Sequence, residues 1–159
     1  MAEERRQELV EAAFRCISAT GFEGLRLRAV AAEVGIDHST LHHHFPTKKD
    51  LIAAVVEYAT GRLRLPGSTL AEHLNLLGRA MREQPELFVV LREIDLRALR
   101  EPEIRAIVDR GEMGWRHALA TRTAPEHAAL IIAVVKGLTL IPDDPQDVLS
   151  RLENLLEGT

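Results

Sequence analysis

The chain has one cysteine, few aromatic side chains and no long apolar segment. Because Cys16 is the only cysteine among the 159 residues, no intramolecular disulfide can form. No apolar run approaches the roughly 20 residues needed to span a bilayer. The charged N-terminus, Met-Ala-Glu-Glu-Arg-Arg, lacks the apolar centre of a signal peptide. These absences predict a reduced, cytoplasmic protein with no membrane partner. Cys16 is then either a redox sensor or a buried inert thiol, and its position on an apolar helix face favours the buried thiol.

Motifs of the common enzyme classes are also missing. The sequence contains no Gly-rich phosphate loop, no Gly-x-Ser-x-Gly nucleophile elbow, no His-Glu-x-x-His metal motif and no carboxylate pair typical of a catalytic cleft. We therefore predict that the protein is not an enzyme, that it has no catalytic residue and that it needs no cofactor. A helical scaffold that binds a partner protein remains an alternative to the function developed below.

What the chain does contain is aliphatic residues at helical spacing. Leu, Ala, Val and Ile supply most of the 46% apolar content and recur every three to four residues. The pattern predicts helices over about residues 3–20, 28–34, 38–44 and from 48 to as far as 63. Five more helical stretches follow the turn signal Pro66-Gly67-Ser68, and four of them have distinct starts at Pro85, Pro102, Pro125 and Pro145. No strand pattern is present, so the sequence predicts an all-α protein.

One short helix is held down by very few apolar residues. Gly35 predicts a tight turn, Ile36 a buried anchor and Asp37 a helix cap. In the helix that follows, only Leu41 and Phe45 are apolar, and they lie four residues apart on one narrow face. The rest of this helix consists of serine, threonine and four histidines. Its outer face is therefore predicted to be exposed and polar.

A second short amphipathic helix lies immediately upstream. Its apolar residues are Leu27, Val30, Ala31 and Val34. Two short helices joined by a glycine-containing turn form a helix-turn-helix unit, in which the second helix enters the DNA major groove. The sequence therefore predicts a DNA-binding unit within residues 1–47.

The ordered set of residues around this unit is specific to a known family. The set comprises Gly21-Phe22, Leu27-Arg28-Ala29-Val30-Ala31, Gly35-Ile36, Thr40-Leu41-His42-His43-His44-Phe45 and Lys48-Lys49-Asp50-Leu51. It resembles the DNA-binding domain of the TetR family of dimeric bacterial transcriptional regulators, and it covers about the first third of the chain without a gap. Two positions depart from the family pattern: His42 stands where tyrosine is usual, and Leu27 where a small polar cap is usual.

The resemblance implies a role in DNA contact for eight side chains. Those at the start of the second helix, His38 and Ser39, together with His43, would point to base edges. Those matching phosphate contacts are Thr40, His42, His44 and Lys48, and Arg28 would touch the DNA backbone from the preceding helix. Because the family's tyrosine is missing at His42, the usual tyrosine–phosphate hydrogen bond is not expected.

Net charge does not by itself favour DNA. The chain carries a formal charge of −4. Four cations nevertheless bracket the histidine-rich helix, namely Arg26, Arg28, Lys48 and Lys49. A local positive stripe matters more for DNA binding than the sum over the chain. We therefore expect modest non-specific affinity, since that affinity depends on neutralisation of phosphates by Lys and Arg.

The run of three histidines, residues 42–44, invites a metal-site hypothesis. Consecutive helical residues point about 100° apart, so three in a row cannot grip one ion. His38 and His42, four residues apart, could chelate in principle, but no cysteine lies nearby and Asp37 is expected to cap the helix. We predict no metal site and favour DNA contact for these side chains.

The rest of the chain is expected to bind an effector and to dimerise. The resemblance implies a connecting helix over residues 48–65 and an effector-binding and dimerisation domain, a C-terminal helical bundle, over residues 66–159. Candidate side chains for a ligand pocket are Met81, Phe88, Arg92, Asp95 and Trp115, with Met113 and His117 nearby. Each of them could instead be ordinary core or surface, and the short domain favours a small cavity or none.

The helix that begins at Pro125 is apolar on nearly every side, which requires burial all round. One side can face the chain's own core, and the other then needs a partner. Family members commonly dimerise through their last two helices, which implies an interface of Ala128, Ile131, Ile132, Val135, Leu152 and Leu156. The alternative is a central core helix of a monomer. The sequence thus predicts a homodimeric, ligand-responsive repressor on a palindromic double-stranded DNA operator, with a small molecule as the possible effector.

Overall fold

The computed structural model describes residues 1–63, 67, 69–141 and 143–158, and within them the chain forms nine helices and no strand. The helices are α1 (Ala2–Gly24), α2 (Leu27–Val34), α3 (His38–His44), α4 (Lys48–Gly61), α5 (Leu70–Glu83), α6 (Pro85–Ala98), α7 (Pro102–Ala120), α8 (Pro125–Leu138) and α9 (Pro145–Glu157). The prediction of an all-α fold is confirmed. In the part of the chain described, no helix combines the length and the apolar character needed to cross a membrane.

The first helix forms the base on which the helix-turn-helix unit rests. Leu9, Ala13 and Ile17 are fully buried, and α1 packs against α2, α4 and α6. The backbone leaves helical geometry at Gly21, where φ is 67° and ψ is 177°, directly after the predicted end of the first helix at about residue 20, although the element continues to Gly24. Cys16, expected to be a buried thiol, is only half-buried.

Local signals at helix starts fix most of the element boundaries. Thr47 and Asp50 form a capping box at the start of α4, and the Asp144 side chain accepts a hydrogen bond from the Gln146 backbone at the start of α9. A proline occupies the first turn of each of the four predicted proline-led helices. The start of α2 is corrected by one residue: the cap position is Arg26 rather than Leu27, and it makes no side-chain cap hydrogen bond.

The boundary between the two halves of the chain is only partly within the described residues. Of the predicted turn, Pro66 and Ser68 lie outside them, as do Arg64 and Leu65 at the end of the predicted connecting helix. On either side of this segment, α1 and α4 pack against α6, and α4 also packs against α7. The division into residues 1–47, 48–65 and 66–159 remains a prediction.

The predicted dimer-interface residues require a correction. Ala128, Ile131, Ile132, Val135 and Leu152 are buried within the single chain, where α8 packs against α7 and α9, and Leu156 is half-buried. The five buried side chains form part of the chain's own core, whereas Leu156 stays a predicted interface residue. Periodicity shows that α8 has two apolar sides, but it does not reveal which side its own chain covers. The uncovered side carries Leu130, 48% exposed, and Ala133.

Candidate DNA-binding surface and candidate ligand cavity

The turn between α2 and α3 is set by a left-handed glycine. Gly35 has φ 74° and ψ 29°, a conformation that side chains with a Cβ rarely adopt. Its N–H donates to the Ala32 carbonyl at 3.1 Å, and the Ile36 N–H donates to the Ala31 carbonyl at 3.0 Å. This pair of bonds is a Schellman motif, which satisfies the last carbonyls of α2. The Ile36 side chain then packs against the core, so the direction of α3 is fixed at its first residues.

Asp37 organises the start of α3. One carboxylate oxygen accepts from the Thr40 backbone N–H at 2.8 Å and from the Ser39 hydroxyl at 2.5 Å, and the other accepts from the Thr40 hydroxyl at 2.9 Å. These bonds hold the pKa of Asp37 well below its usual range, and the bond from the Ser39 hydroxyl contributes most. Both hydroxyl protons are therefore engaged within the protein. A phosphate accepts hydrogen bonds only, so Thr40 must leave Asp37 in order to contact one.

Two buried side chains hold α3 on the core. Leu41 and Phe45 are 0% and 1% exposed, as their spacing predicts. The guanidinium of Arg6, a residue of α1, lies 4.8 Å from the centre of the Phe45 ring, so a cation–π contact joins α1 to this residue. With one edge fixed in this way, the remaining side chains of α3 stay at the surface.

The eight side chains predicted to contact DNA are all accessible. Those exposed are Arg28, Ser39 and His43, and those half-buried are His38, Thr40, His42, His44 and Lys48. Within the described residues, neither Arg28 nor Lys48 forms an ion pair, whereas Lys49 pairs with Glu103 of α7 at 3.4 Å. Two cations beside α3 are therefore unneutralised by the protein. Their contact with DNA remains a prediction.

His42 makes a hydrogen bond that restricts its chemistry. Its Nδ1 lies 3.1 Å from the Pro46 carbonyl oxygen, which can only accept, so Nδ1 carries the proton. In the neutral ring, Nε2 is then an acceptor and cannot donate to a phosphate. The ring also meets His38 edge to face, with the ring centres 4.5 Å apart. No group of three or more metal-ligating side chains occurs among the described residues.

A cavity of about 350 Å³ lies between α4, α5, α6, α7 and α8. Its apolar walls include Leu63, Phe88, Leu91, Ile94, Val108 and Trp115. Its charged and imidazole side chains are His73, Arg92, Asp95, Glu112, Arg122 and Lys136. Of the predicted pocket residues, Phe88, Arg92, Asp95 and Trp115 line this cavity. The structure places Met81 in the core away from the cavity lining, and leaves Met113 and His117 exposed.

The two carboxylates of the cavity share one cation. The Lys136 ammonium lies 2.9 Å from an Asp95 oxygen and also donates to Glu112. Burial alone would lower the pKa of Lys136, but the hydrogen bonds to Glu112 and Asp95 outweigh that effect and raise it. Lys136 is therefore charged and forms an ion pair with each of the two carboxylates. Sequence reasoning missed Glu112 and Lys136, because the pair depends on how α7 and α8 meet.

His73 is a buried imidazole with one satisfied nitrogen. The Trp115 indole N–H, which can only donate, lies 3.1 Å from Nε2 of His73, so the imidazole proton must be on Nδ1. Burial lowers the pKa of His73, and the charge of Arg122 lowers it further, so the ring is neutral. The side chain is 2% exposed, and within the described chain Nδ1 has no hydrogen-bond acceptor. A buried donor without an acceptor costs about 1–3 kcal/mol.

Arg92 is fixed by the end of α8. Its Nη2 donates to the Lys136 carbonyl and to the Thr139 hydroxyl. Its Nε is buried and has no hydrogen-bond acceptor among the described residues. His73 and Arg92 both line the cavity, and each thus has a buried nitrogen donor without an acceptor among the described residues. Arg92 was among the pocket residues predicted from sequence, whereas His73, on the same face of α5 as Leu70, Leu74 and Leu77, was missed.

Comparison with known proteins identifies the family of the helix-turn-helix unit. Residues 9–55 match the family model described as bacterial regulatory proteins, tetR family. The transcriptional repressor KstR of Mycolicibacterium smegmatis is 32% identical over 95 residues, which cover 53% of this chain and 47% of that protein. The chain spans about half the length of the curated relatives that it matches at this identity.

Similarity to solved structures extends over nearly the whole chain. The multidrug binding protein EbrR, complexed with ethidium, is 30% identical with a TM-score of 0.74, covering 93% of this chain and 98% of that one. A TetR-family member from Streptomyces coelicolor A3 is also 30% identical, with a TM-score of 0.77, over 94% of this chain and 98% of that one. The chain therefore belongs to the TetR family of bacterial transcriptional regulators.

Proposed function

We propose that the chain is a transcriptional repressor that binds an operator as a homodimer in the cytoplasm and responds to a small molecule. The observation that carries the proposal is the outer face of α3, where Ser39 and His43 are exposed while Leu41 and Phe45 anchor the opposite edge. A short helix fixed in this way presents its polar side chains to a major groove. The relative KstR, named as a repressor, supports repression.

The uncovered side of α8 supports the homodimer. Leu130 is 48% exposed and Ala133 is exposed on the same helix, while Leu140, 67% exposed, lies just beyond the end of α8. Apolar side chains grouped on one face of a helix favour contact with a partner. A two-fold dimer would place two α3 helices on half-sites about one helical turn, roughly 34–36 Å, apart. A palindromic operator follows from that symmetry.

The cavity supports a ligand response. It combines apolar walls with a few polar groups, which is the usual make-up of a small-molecule site. EbrR, a multidrug binding protein similar to this chain, has been solved with ethidium bound and with imidazole bound. A ligand that binds one arrangement of the two DNA-binding heads better than another would shift the population toward it.

Selection from a random duplex pool tests the DNA-binding proposal. The purified protein is expected to enrich a palindromic sequence. Replacing His43 with Ala should weaken binding to that sequence by about 1–3 kcal/mol, and should change binding to random duplex little, because a base-edge contact discriminates among sequences. Lys48→Ala is the matched comparison. It should weaken binding to the selected sequence and to random duplex alike, and should reduce the slope of log affinity against log salt concentration by about one unit.

Two outcomes would contradict the proposal. If no sequence is enriched, the protein is not a sequence-specific regulator, and a helical scaffold becomes the better assignment. If His43→Ala weakens binding to operator and random duplex equally, α3 does not read bases through His43.

A further inference from the structure

We propose that the effector of this chain is a compact apolar carboxylate, whose carboxylate group binds the free N–H donors of His73 and Arg92. The assignment rests on the proposed function, which makes the cavity an effector site. It adds the chemical class of the ligand, derived from the hydrogen-bonding capacity and the charge that the cavity side chains leave unused.

The cavity walls determine the apolar part of the ligand. Phe88, Ile94 and Val135 are buried side chains at the cavity, and the Trp115 indole adds an aromatic surface. Ligand cavities commonly measure about 300–1,000 Å³, so a cavity of about 350 Å³ is a small one. It suits a molecule with one ring or a short branched chain.

Two buried hydrogen-bonding groups of the lining residues have no partner among the described residues, and both are donors. His73 Nδ1–H is buried, and its ring is locked in this tautomer because Nε2 accepts from the Trp115 indole. Arg92 Nε–H is buried too, while the other side of the guanidinium donates to the Lys136 carbonyl. A ligand that satisfies both groups must bring acceptor atoms. A carboxylate, with two acceptor oxygens and no proton to donate, matches this demand.

Charge distinguishes an anionic ligand from a cationic one. The cavity is lined by the cations Arg92, Arg122 and Lys136 and by the carboxylates Asp95 and Glu112, while His73 is neutral. Both carboxylates already bind the Lys136 ammonium. In the described residues, the guanidinium of Arg92 donates to a carbonyl and a hydroxyl and has no carboxylate partner. The lining thus carries three positive and two negative side chains, and an anion finds in Arg92 a positive charge that no carboxylate of the described residues neutralises.

Three probes with one carbon skeleton test the assignment. They are 3-cyclohexylpropanoate, 3-cyclohexylpropanamide and 3-cyclohexylpropylammonium, which differ only in the polar group. Trp115 is the chain's only tryptophan and lines the cavity, so its fluorescence reports occupancy directly. The carboxylate should bind at least about tenfold more tightly than either of the others, because its hydrogen bonds to these donors are charge-assisted.

Two substitutions at the cavity should change carboxylate affinity in opposite directions. Arg92→Met removes a donor and a positive charge, and should reduce the preference for carboxylate over amide to within about threefold. Asp95→Asn leaves Lys136 less neutralised and should strengthen carboxylate binding. A general loss of fold cannot produce both signs. Arg79→Met, at an exposed cation outside the cavity, should leave the order of the probes unchanged.

The same protein preparation separates failure of this assignment from failure of the proposed function. Binding to the selected duplex is measured without any probe, and then with each probe. If the duplex binds but the ammonium probe binds tightest, or no probe binds, the carboxylate assignment is overturned and the DNA-binding role stands. If the carboxylate binds as expected but no duplex is ever selected, the proposed function fails and the ligand class stands.

Discussion

At the scale of single residues, hydrogen-bond partners decide what the α3 side chains can offer to DNA. His42 stands where the family usually has tyrosine, whose hydroxyl can donate to a phosphate at any physiological pH. The bond from His42 Nδ1 to the Pro46 carbonyl leaves Nε2 as the nitrogen for DNA, and Nε2 donates only in the imidazolium form. The replacement therefore converts a constant phosphate contact into one that requires a bound proton.

We predict that operator affinity rises as the pH is lowered from about 8 to about 6. Phosphates favour the charged ring, so the complex binds more protons than the free protein, and lower pH stabilises it. His42→Tyr should reduce this slope and strengthen binding at the upper end of the range. The measurement is an operator titration at several pH values and fixed salt.

His117→Tyr is the control, since His117 is exposed on α7 and is not part of α3. It should leave the slope unchanged. A flat titration of the wild-type chain would show that the histidines bind as neutral groups or lie outside the interface. An unchanged slope in His42→Tyr would assign the proton uptake to other histidines of α3.

Residue-level predictions succeeded where the cause is local. The cap at Asp37 and the turn at Gly35 depend on a few consecutive residues, so the sequence contains the whole cause. The His73–Trp115 bond could not be predicted, because it depends on how α5 meets α7. The same holds for the commitment of Lys136 to two carboxylates from other helices.

At the scale of elements, α6 connects the cavity with the DNA-binding end of the chain. Arg92 and Asp95 line the cavity, while Glu93 of the same helix approaches Gly21 at the break in α1. One turn further on, the Arg97 guanidinium lies 5.0 Å from the centre of the Phe22 ring. A ligand that moves α6 would therefore act directly on the base of the helix-turn-helix unit.

Gly21 is the tightest point of this contact. Its φ of 67° is one that residues with a side chain rarely adopt. An added Cβ would also lie 3.2 Å from a Glu93 carboxylate oxygen. We predict that Gly21→Ala lowers the free energy of unfolding by about 1–3 kcal/mol. Chemical denaturation, read as the shift of the midpoint, measures the change.

Gly114→Ala is the matched control, because Gly114 lies inside α7 and an added Cβ would meet no atom within 4 Å. Alanine there should stabilise the chain by about 0.5–1 kcal/mol. If Gly21→Ala proves neutral or stabilising, the break in α1 is not a strained position, and its contact with Glu93 is easily displaced.

Helix starts were the most predictable feature among the elements. Proline in the first turn and the Thr47–Asp50 capping box are local signals, and each marks an observed start. The Thr69–Glu72 capping box of α5 carries the same signal and could have been found in advance. The end of α1 was harder, because the element extends to Gly24 beyond the break at Gly21 and includes Phe22, which is buried against the core.

At the scale of the whole molecule, the chain leaves an apolar face that its own core does not cover. Sequence periodicity identified α8 as apolar on both sides, but it placed side chains of the chain's own core in the predicted interface. Ile132 is 3% exposed and belongs to the core, whereas Leu130, two positions earlier, is 48% exposed. The two positions differ in the environment that the fold gives them, which only the packing of α8 against α7 and α9 reveals.

This pair of positions permits a sharp test of the proposed dimer. Leu130→Asp should leave the chain folded but raise the dimer dissociation constant by at least roughly 30-fold, the effect of losing about 2 kcal/mol at an interface. Ile132→Asp should instead unfold the chain, because a buried charge without a partner is costly. Sedimentation measures the oligomeric state, and circular dichroism measures the fold.

Operator binding by Leu130→Asp should collapse, since one α3 helix holds only a half-site. A Leu130→Asp protein that stays dimeric and still binds the operator would place the interface on another face of the molecule.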